Sequence, residues 1–398
     1  MTPYRWYRPA PMVYLDNAAS TPLAPAALRA FAATAQEHFA NPSSSHALGA
    51  AAARALAEAR ADVARLLRAD AQSITFTSGG TEANALAVLG VTRLRKQTRI
   101  VVSAIEHASV LRTVERLKSE GFAPIFVGPG SNGVVDAQEL LAHVDANTSL
   151  VVLMLANNEL GTLQPVEAVA RMCKQLPRAP HVHVDAIAAA PFVTLDVAVL
   201  GVDSVALSAH KLHGPKGVGA CWLRKGVRLA PLWHGGGQEV GLRQGTENLA
   251  GAVSFGIACA AVAADLHEAS ARVAALRDSF EQAALVAIPH LATTVAAGTP
   301  RVAHISSLRL ARLPAEPLLH ALQAHGVCAA AGSACASKSN GQSHVLAAIG
   351  VDRNDAVLRF SLSRLTTPAD IDRAVDALAL AVAEIRQVVD APSAWSVR

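Results

Sequence analysis

The sequence has little of what marks secreted, zinc-binding or nucleic-acid-binding proteins. Its 398 residues include only five cysteines, with no CxxC pair and no zinc-type spacing, so neither a disulfide framework nor a structural metal site is indicated. Aromatic residues make up only 4% of the chain, and its 35 basic and 31 acidic residues are spread without a basic run. We therefore expect no nucleic-acid partner.

Long apolar segments are also scarce. The first twenty residues lack the continuous apolar stretch of a secretory signal. The longest uncharged stretch, 248–264, has seventeen residues and includes Asn248 and Ser254, whereas a membrane span needs about 20 apolar residues. We expect a buried helix there, no membrane partner, and a cytoplasmic protein with reduced thiols.

The chain does have the strand–helix alternation of an α/β protein. Apolar residues make up 52% of it, many of them alanine, and its length allows two or three domains. Alanine-rich stretches such as 83–96 and 110–120 predict helices between short apolar runs. These runs predict seven strands of a mostly parallel sheet with both faces covered, at 74–77, 99–103, 124–127, 150–155, 181–185, 204–208 and 219–224.

The pattern changes near residue 265. A long helix at 266–285 is followed by short strands at 303–308 and 357–361, and by a last helix at 368–389. We therefore predict two domains. The large α/β domain covers 15–265, and a smaller α+β domain combines 1–14 with 266–398.

The segment 77–82, TSGGTE, lies between a predicted strand and a predicted helix. Free N–H groups at a helix N-terminus, with small residues and a hydroxyl, suit a phosphate. A plain strand–helix turn explains the same residues equally well.

Lys211 lies in SAHKLHGPKG, directly after the strand at 204–208. A lysine at the mouth of a strand suits a Schiff-base role, although most lysines are ordinary surface residues. Asp185 ends the strand HVHVD, where a carboxylate could pair with a protonated heterocyclic nitrogen. His181 and His183 share one face of that strand, but without a third ligand we interpret them as packed residues and predict no metal.

Three further residues are candidates with open alternatives. His107 follows the strand at 99–103, where it could stack on a planar cofactor, move protons or simply cap a helix. Cys335 lies in a run of small residues, as a nucleophile or an incidental thiol, whereas Cys328 has apolar neighbours and is interpreted as structural. Arg359, on an apolar strand, could hold a substrate carboxylate or form a structural ion pair.

Taken in order, the motifs resemble those of the cysteine desulfurases, the NifS/IscS-type members of the class V aminotransferase family. The similarity extends from about residue 14 to about residue 385. The motifs are YLDNAAST, NPSSSH, TSGGTEAN, EHASV, NNELGTLQP, HVDA, SAHKLHGPKG, HGGGQEVGLRQGTEN, GSACAS and RFSLSR.

The resemblance implies a PLP-dependent transferase fold of the aspartate aminotransferase type (fold type I), with a seven-stranded, mostly parallel sheet. It also implies pyridoxal 5'-phosphate (PLP) carried on Lys211, with Asp185 at the ring nitrogen and His107 stacked on the ring. Thr246 would reach the phosphate of a neighbouring subunit, which implies a homodimer. Asn158 would contact the ring oxygen. The phosphate would be held by Gly80, Thr81, Ser208 and His210.

The implied reaction converts L-cysteine into L-alanine. Asn158 and Arg359 would hold the substrate carboxylate, Lys211 would take the Cα proton, and His107 would serve the substrate thiol as acid–base partner. Cys335, on a loop at about 329–342, would take the sulfur as a persulfide and deliver it to an acceptor protein. An iron–sulfur scaffold, a tRNA-thiolation carrier and a dedicated biosynthetic carrier all remain open as acceptors.

The chain departs from the family at Ala188, where a glutamine usually donates to the ring hydroxyl oxygen. Losing that donor should slow the chemistry. Little sequence follows the last predicted helix, whereas housekeeping members use a longer tail to dock their scaffold. Both features suggest a specialised paralogue. A selenocysteine lyase, another class V aminotransferase and a weakly active sulfur-relay partner are the alternative interpretations.

Overall fold

A computed structural model describes residues 12–290, 292–332 and 342–390. Its strands are β1 (Val13–Tyr14), β2 (Ile74–Thr77), β3 (Arg99–Ser103), β4 (Ala123–Val127), β5 (Thr148–Val152), β6 (His181–Asp185), β7 (Ser204–Ser208), β8 (Gly219–Leu223), β9 (Ala292–Thr294), β10 (Ile305–Leu310), β11 (Val327–Cys328), β12 (Ala330–Ala331) and β13 (Ala356–Ser361). Its α-helices are α1 (Pro25–Glu37), α2 (Ala47–Leu66), α3 (Gly80–Thr92), α4 (Ala108–Leu117), α5 (Ala137–Ala142), α6 (Val166–Lys174), α7 (Val197–Leu200), α8 (Leu249–Ala264), α9 (Leu266–Ala287), α10 (Ala315–Ala324), α11 (His344–Ala348) and α12 (Pro368–Val389).

The predicted seven-stranded sheet is present. Its strand order is β2-β8-β7-β6-β5-β3-β4, and β8 alone runs against the other six. The carboxyl ends of those six strands consequently meet at one edge, where ligands bind in open α/β sheets. The segments that follow β2, β3, β6 and β7 carry most of the candidate site residues.

Alternate residues of the central strands point into two separate cores. On β3, Val101 packs in the core that includes α2 and α8, whereas Ile100 and Val102 pack in the core that includes α3 and α4. Because both faces are covered, the strands read as continuous apolar runs rather than alternating ones. This covering holds the polar residues at the strand ends in a fixed arrangement.

The uncharged segment forms helix α8, as predicted. It packs mainly against α1 and α2, and Phe255 and Cys259 are fully buried. No single helix in the described ranges is long and apolar enough to cross a membrane. Together α8 and α9 would reach that length, but the chain bends by 75° between them.

A second sheet with the order β12-β13-β10-β9 lies in the C-terminal part and is antiparallel. Helices α9, α10 and α12 cover it, with Phe280 and Phe360 4.7 Å apart at the centre of this core. Helix α12 has the predicted bounds, set by a capping box between Thr367 and Asp370. The N-terminal strand β1 pairs with β11.

Three buried histidines make stability depend on pH. Burial lowers the pKa of His181, His183 and His304 to about 3, against about 6.5 in the unfolded chain. The unfolded chain therefore binds more protons between pH 3 and 6.5, so stability is complete above this window and falls with pH inside it. We expect a loss of about 2 kcal/mol per histidine between pH 7 and 5.

Urea unfolding at pH 7, 6 and 5 measures this loss. A His304→Gln variant should reduce the pH-dependent part by about a third, because it removes one histidine of three. Equal unfolding free energies at pH 7 and 5 would contradict the expectation.

Candidate active site

Asp185 lies at the end of β6 with both carboxylate oxygens engaged. Its Oδ2 accepts a hydrogen bond from Asn84 Nδ2 at 2.7 Å, and its Oδ1 accepts one from the backbone N–H of Ile187 at 2.9 Å. Asp185 is 3% exposed. A buried carboxylate held by two donors suits pairing with a cationic ring nitrogen.

His107 caps helix α4, which confirms one of its three predicted roles. Stacking on a cofactor and moving protons stay predictions. Its Nδ1 lies 2.8 Å from Ser109 Oγ and accepts from the Ser109 backbone N–H at 3.1 Å. Burial lowers its pKa, Asp185 opposes this, and Lys211 and His344 lower the pKa further. His107 is therefore neutral at pH 7, with Nε2 left to face a ligand.

Lys211 follows β7 on a short 3-10 turn. Its Nζ donates to the carbonyl oxygens of Ala18 and Ala19 at 2.5 and 2.8 Å. Its charge also lowers the pKa of His107 and His210, although burial is the larger cause at both histidines. The amine therefore lies among the candidate residues rather than on the open surface.

The TSGG segment meets the end of β7. A Cβ placed on Gly80 would lie 3.4 Å from Ser208 Cβ, and the Ser208 hydroxyl is buried without a hydrogen-bond partner among the described residues. Thr81 is exposed in the first turn of α3, and His210 Nδ1 lies 3.3 Å from Ser20 Oγ. Free N–H groups and an unpaired hydroxyl together suit a phosphate.

Glu82 holds the backbone of this candidate phosphate site in place, a role that we did not predict. Its Oε2 accepts from the backbone N–H of Ser78 at 2.6 Å, and Arg243 forms an ion pair with its Oε1 at 3.1 Å. The acidic residue in the TSGGTE motif is the only local signal of this role. Its partner Arg243 is 161 positions away in the sequence.

Arg359 forms an ion pair and lies beside a predicted substrate residue. It is 2% exposed; its Nη2 donates to Asp16 at 2.8 Å and its Nη1 to the backbone oxygen of Asn158 at 2.9 Å. Its Nε is buried without a partner among the described residues. The predicted ion pair is therefore present. The guanidinium keeps further donors, and its role in holding a substrate carboxylate stays a prediction.

Ala188 lines the same small pocket as Lys211. The buried Asn17 Oδ1 and His304 Nδ1 have no hydrogen-bond partners among the described residues, and both residues line this pocket. The position of the missing glutamine therefore lies beside the lysine.

Two predicted residues are not placed here. Cys335 lies outside the described residues, whose preceding range ends at Gly332. The strand leading there, β12, pairs Ala330 with Arg359, so the chain starts toward Cys335 beside the arginine. Thr246 is exposed and forms no hydrogen bond with the other candidates in the described part of the chain.

Sequence analysis did not identify three residues that border the site. Glu159 is buried, and its Oε2 accepts from Ser343 Oγ at 2.6 Å. His344 Nε2 donates to the Glu106 carbonyl oxygen at 3.1 Å. Burial, reinforced by Asp185, raises the pKa of Glu106 well above its usual value.

Comparisons with known proteins show which family the chain belongs to. Residues 13–374 match the class-V aminotransferase family. A cysteine desulfurase from Nostoc sp. is 36% identical over 378 residues, which cover 94% of each protein. The solved structure of a NifS-like protein superposes with a TM-score of 0.87 at 33% identity, covering 94% of this chain and all of that one.

A third comparison concerns a structure with a ligand. SspA, solved in complex with cysteine, superposes with a TM-score of 0.78 at 31% identity, over 89% of this chain and 99% of that protein.

This family depends on PLP, and the residues present fit that cofactor. The unpaired Ser208 hydroxyl and the close approach at Gly80 suit its phosphate. Asp185 suits its ring nitrogen, and Lys211 suits its aldehyde carbon. The chain thus belongs to the class-V aminotransferase family and, within it, to the PLP-dependent cysteine desulfurases.

Proposed function

We propose that this protein converts L-cysteine into L-alanine and carries the released sulfur on Cys335 to an acceptor protein. One observation supports this most strongly. Lys211, Asp185 and His107 come together at the carboxyl edge of the sheet, and the segment that leads toward Cys335 starts there, paired with Arg359.

The cofactor would be held by groups from four strand ends. Gly80, Thr81, Ser208 and His210 would bind its phosphate, and Asn158 would contact its ring oxygen. The Asp185 carboxylate accepts two hydrogen bonds and would stabilise the protonated ring nitrogen of the cofactor. When bound, PLP supplies an electron sink for charge that develops at the substrate Cα.

The chain's own groups would orient L-cysteine and move its protons. Arg359, held in place by Asp16, would bind the substrate carboxylate with its remaining donors, together with the Asn158 side chain. Lys211 Nζ would remove the Cα proton. His107 Nε2 would exchange a proton with the substrate thiol, since its Nδ1 is occupied by Ser109.

The sulfur transfer balances without an external oxidant. The Cys335 thiolate would form a bond to the substrate sulfur while the substrate Cβ–S bond breaks. The protein sulfur is oxidised to a persulfide, and Cβ is reduced, takes a proton and leaves as the methyl group of L-alanine.

We further propose a homodimer in a reducing, cytoplasmic setting. Thr246 is exposed on this chain, as a residue that serves a neighbouring subunit must be. Val240, in the same glycine-rich segment, is 94% exposed and has a left-handed φ of 56°, which is unusual for a β-branched residue. Sedimentation equilibrium should give twice the single-chain mass of 41.2 kDa; the single-chain mass would refute the dimer.

Purified protein given L-cysteine and a thiol reductant tests the function. Alanine and sulfide should appear in equal amounts. Selenocysteine turnover without cysteine turnover would support a selenocysteine lyase instead. A PLP-loaded protein that makes neither product would support the weakly active sulfur-relay alternative.

The contact between Gly80 and Ile187 predicts that a larger side chain at position 80 weakens PLP binding. A Cβ on Gly80 would lie 2.2 Å from Ile187 Cδ1, the far end of that side chain, so Gly80→Ala should turn Ile187 aside. We expect PLP affinity to fall by up to about tenfold, because the displaced side chain disturbs the packing beside the cofactor site. Fluorescence titration with PLP measures the affinity.

A second substitution provides the control for this prediction. Adding Ile187→Ala to Gly80→Ala should restore most of the affinity, because the shorter side chain makes room for the new methyl group. Weak binding that persists in the double variant would show that the clash is not the cause.

A further inference from the structure

A buried chain of hydrogen bonds runs through the sheet and ends at the two residues that face the cofactor site. His181 Nε2 lies 2.7 Å from Ser204 Oγ, which lies 2.8 Å from His183 Nδ1. His183 Nε2 lies 3.0 Å from Asn84 Oδ1. All four residues are at most 1% exposed, so water does not compete for these bonds.

Each hydrogen bond in this series has only one possible assignment of donor and acceptor. Asp185 Oδ2 accepts from the amide nitrogen of Asn84, so the amide oxygen of Asn84 faces His183. His183 is neutral, because burial lowers its pKa to about 3. It must therefore donate from Nε2 and accept at Nδ1 from the Ser204 hydroxyl, which in turn accepts from His181.

At Asn84 the series of hydrogen bonds branches, with one branch to Asp185 and the other to His107 through Ser109. Its Nδ2 donates to Asp185 Oδ2 at 2.7 Å and to Ser109 Oγ at 2.9 Å. With its oxygen engaged as an acceptor, Ser109 directs its own proton to His107 Nδ1, 2.8 Å away. The Ser109 backbone N–H points to the same Nδ1 atom.

We propose that Asn84 is a positioning residue that uses one amide to hold the Asp185 carboxylate in place and to keep His107 Nδ1 unprotonated. This inference rests on the proposed function for its purpose, since it couples the partner of the ring nitrogen to the acid–base histidine. Other charged or titratable groups also face His107, namely Asp185, Lys211 and His344. None of them contacts Ser109 through a described hydrogen bond.

The test is an NMR pH titration of the histidine rings in the selectively labelled full-length chain, with and without PLP, with His107→Gln for assignment. Asn84→Leu frees the Ser109 oxygen to accept from a protonated Nδ1, and Ser109→Ala removes the hydroxyl donor. Each should raise the titration midpoint of His107 by about one pH unit. Asn84→Leu should also weaken PLP binding about tenfold, whereas Ser109→Ala should not.

Thr92→Val is the matched control. Thr92 is buried on the same helix, but its hydroxyl bonds only to Val88 and Leu89 of that helix, so neither quantity should change. If Asn84→Leu does not fold, Asn84→Ala takes its place with the same expectations.

The proposal is overturned if Asn84 variants leave the His107 midpoint unchanged, or if they move it without weakening PLP binding. Neither readout requires cysteine turnover. A protein without desulfurase activity can therefore still support this role, and an active one can still refute it.

Discussion

Replacing Lys211 with alanine is expected to abolish both the covalent attachment of PLP and alanine production. The amine lies among His107, His210 and the Ala18–Ala19 backbone. Lys216 also lowers the pKa of His210, but its side chain is exposed. Removing a group that both attaches the cofactor and moves the Cα proton should lower kcat by at least about 10³-fold. Borohydride reduction followed by mass spectrometry measures attachment, and alanine analysis measures turnover.

Lys216→Ala is the matched control, because Lys216 is exposed and lies five positions further along the same segment. It should keep attachment and most of the activity. A Lys211→Ala protein that retains borohydride-stable PLP would overturn the assignment of the cofactor lysine.

Replacing Cys335 with alanine is expected to stop sulfide release while PLP stays bound. The thiol is the only group assigned to take sulfur from the substrate, so we expect a loss of at least about 10³-fold in alanine formation. Product analysis and the visible absorption of bound PLP together separate a lost nucleophile from a lost cofactor.

Cys328→Ala provides the control for this substitution. Cys328 is half-buried in β11, and burial followed by Asp16 raises its thiol pKa. A thiol with a raised pKa is a poor nucleophile at neutral pH, so this variant should retain activity. Equal losses in the two cysteine variants would argue against a specific role for Cys335.

The sequence predicted the sheet because its signal is local. Runs of buried β-branched and apolar residues identify all seven strands of the large sheet. The misplaced bounds have identifiable causes. Strand β5 begins at Thr148 rather than residue 150, because Thr148 and Ser149 are buried polar residues of the ladder. The prediction began helix α3 at residue 83 because Gly79 and Gly80 are poor helix formers, but the helix begins at Gly80 itself.

The sequence predicted the functional groups better than their partners. Lys211, Asp185 and His107 could be identified from the sequence because each lies at or just after the end of a recognisable strand. Asn84, Ser109 and Glu82 could not, since their roles depend on contacts between elements far apart in the chain. The interpretation of His181 and His183 as packed residues is confirmed by their shared bonds to Ser204. The cofactor, substrate and catalytic roles of the candidate residues, Thr246 and Cys335 included, stay predictions.

Ala188 is the departure with the clearest structural consequence. An alanine offers no donor to the ring oxygen, and Ala188 lines the same pocket as Lys211. Because Lys211, Asp185 and His107 are nevertheless assembled, we expect a slower enzyme rather than an inactive one.

The most direct test of the account follows the sulfur atom itself. L-cysteine with isotopically labelled sulfur is mixed with the PLP-loaded protein without reductant, and the peptides are analysed by mass spectrometry after alkylation. The account predicts one labelled sulfur atom on the peptide that contains Cys335, with one alanine released per labelled site. Alanine formed with no label on that peptide, or label on Cys328 instead, would contradict it.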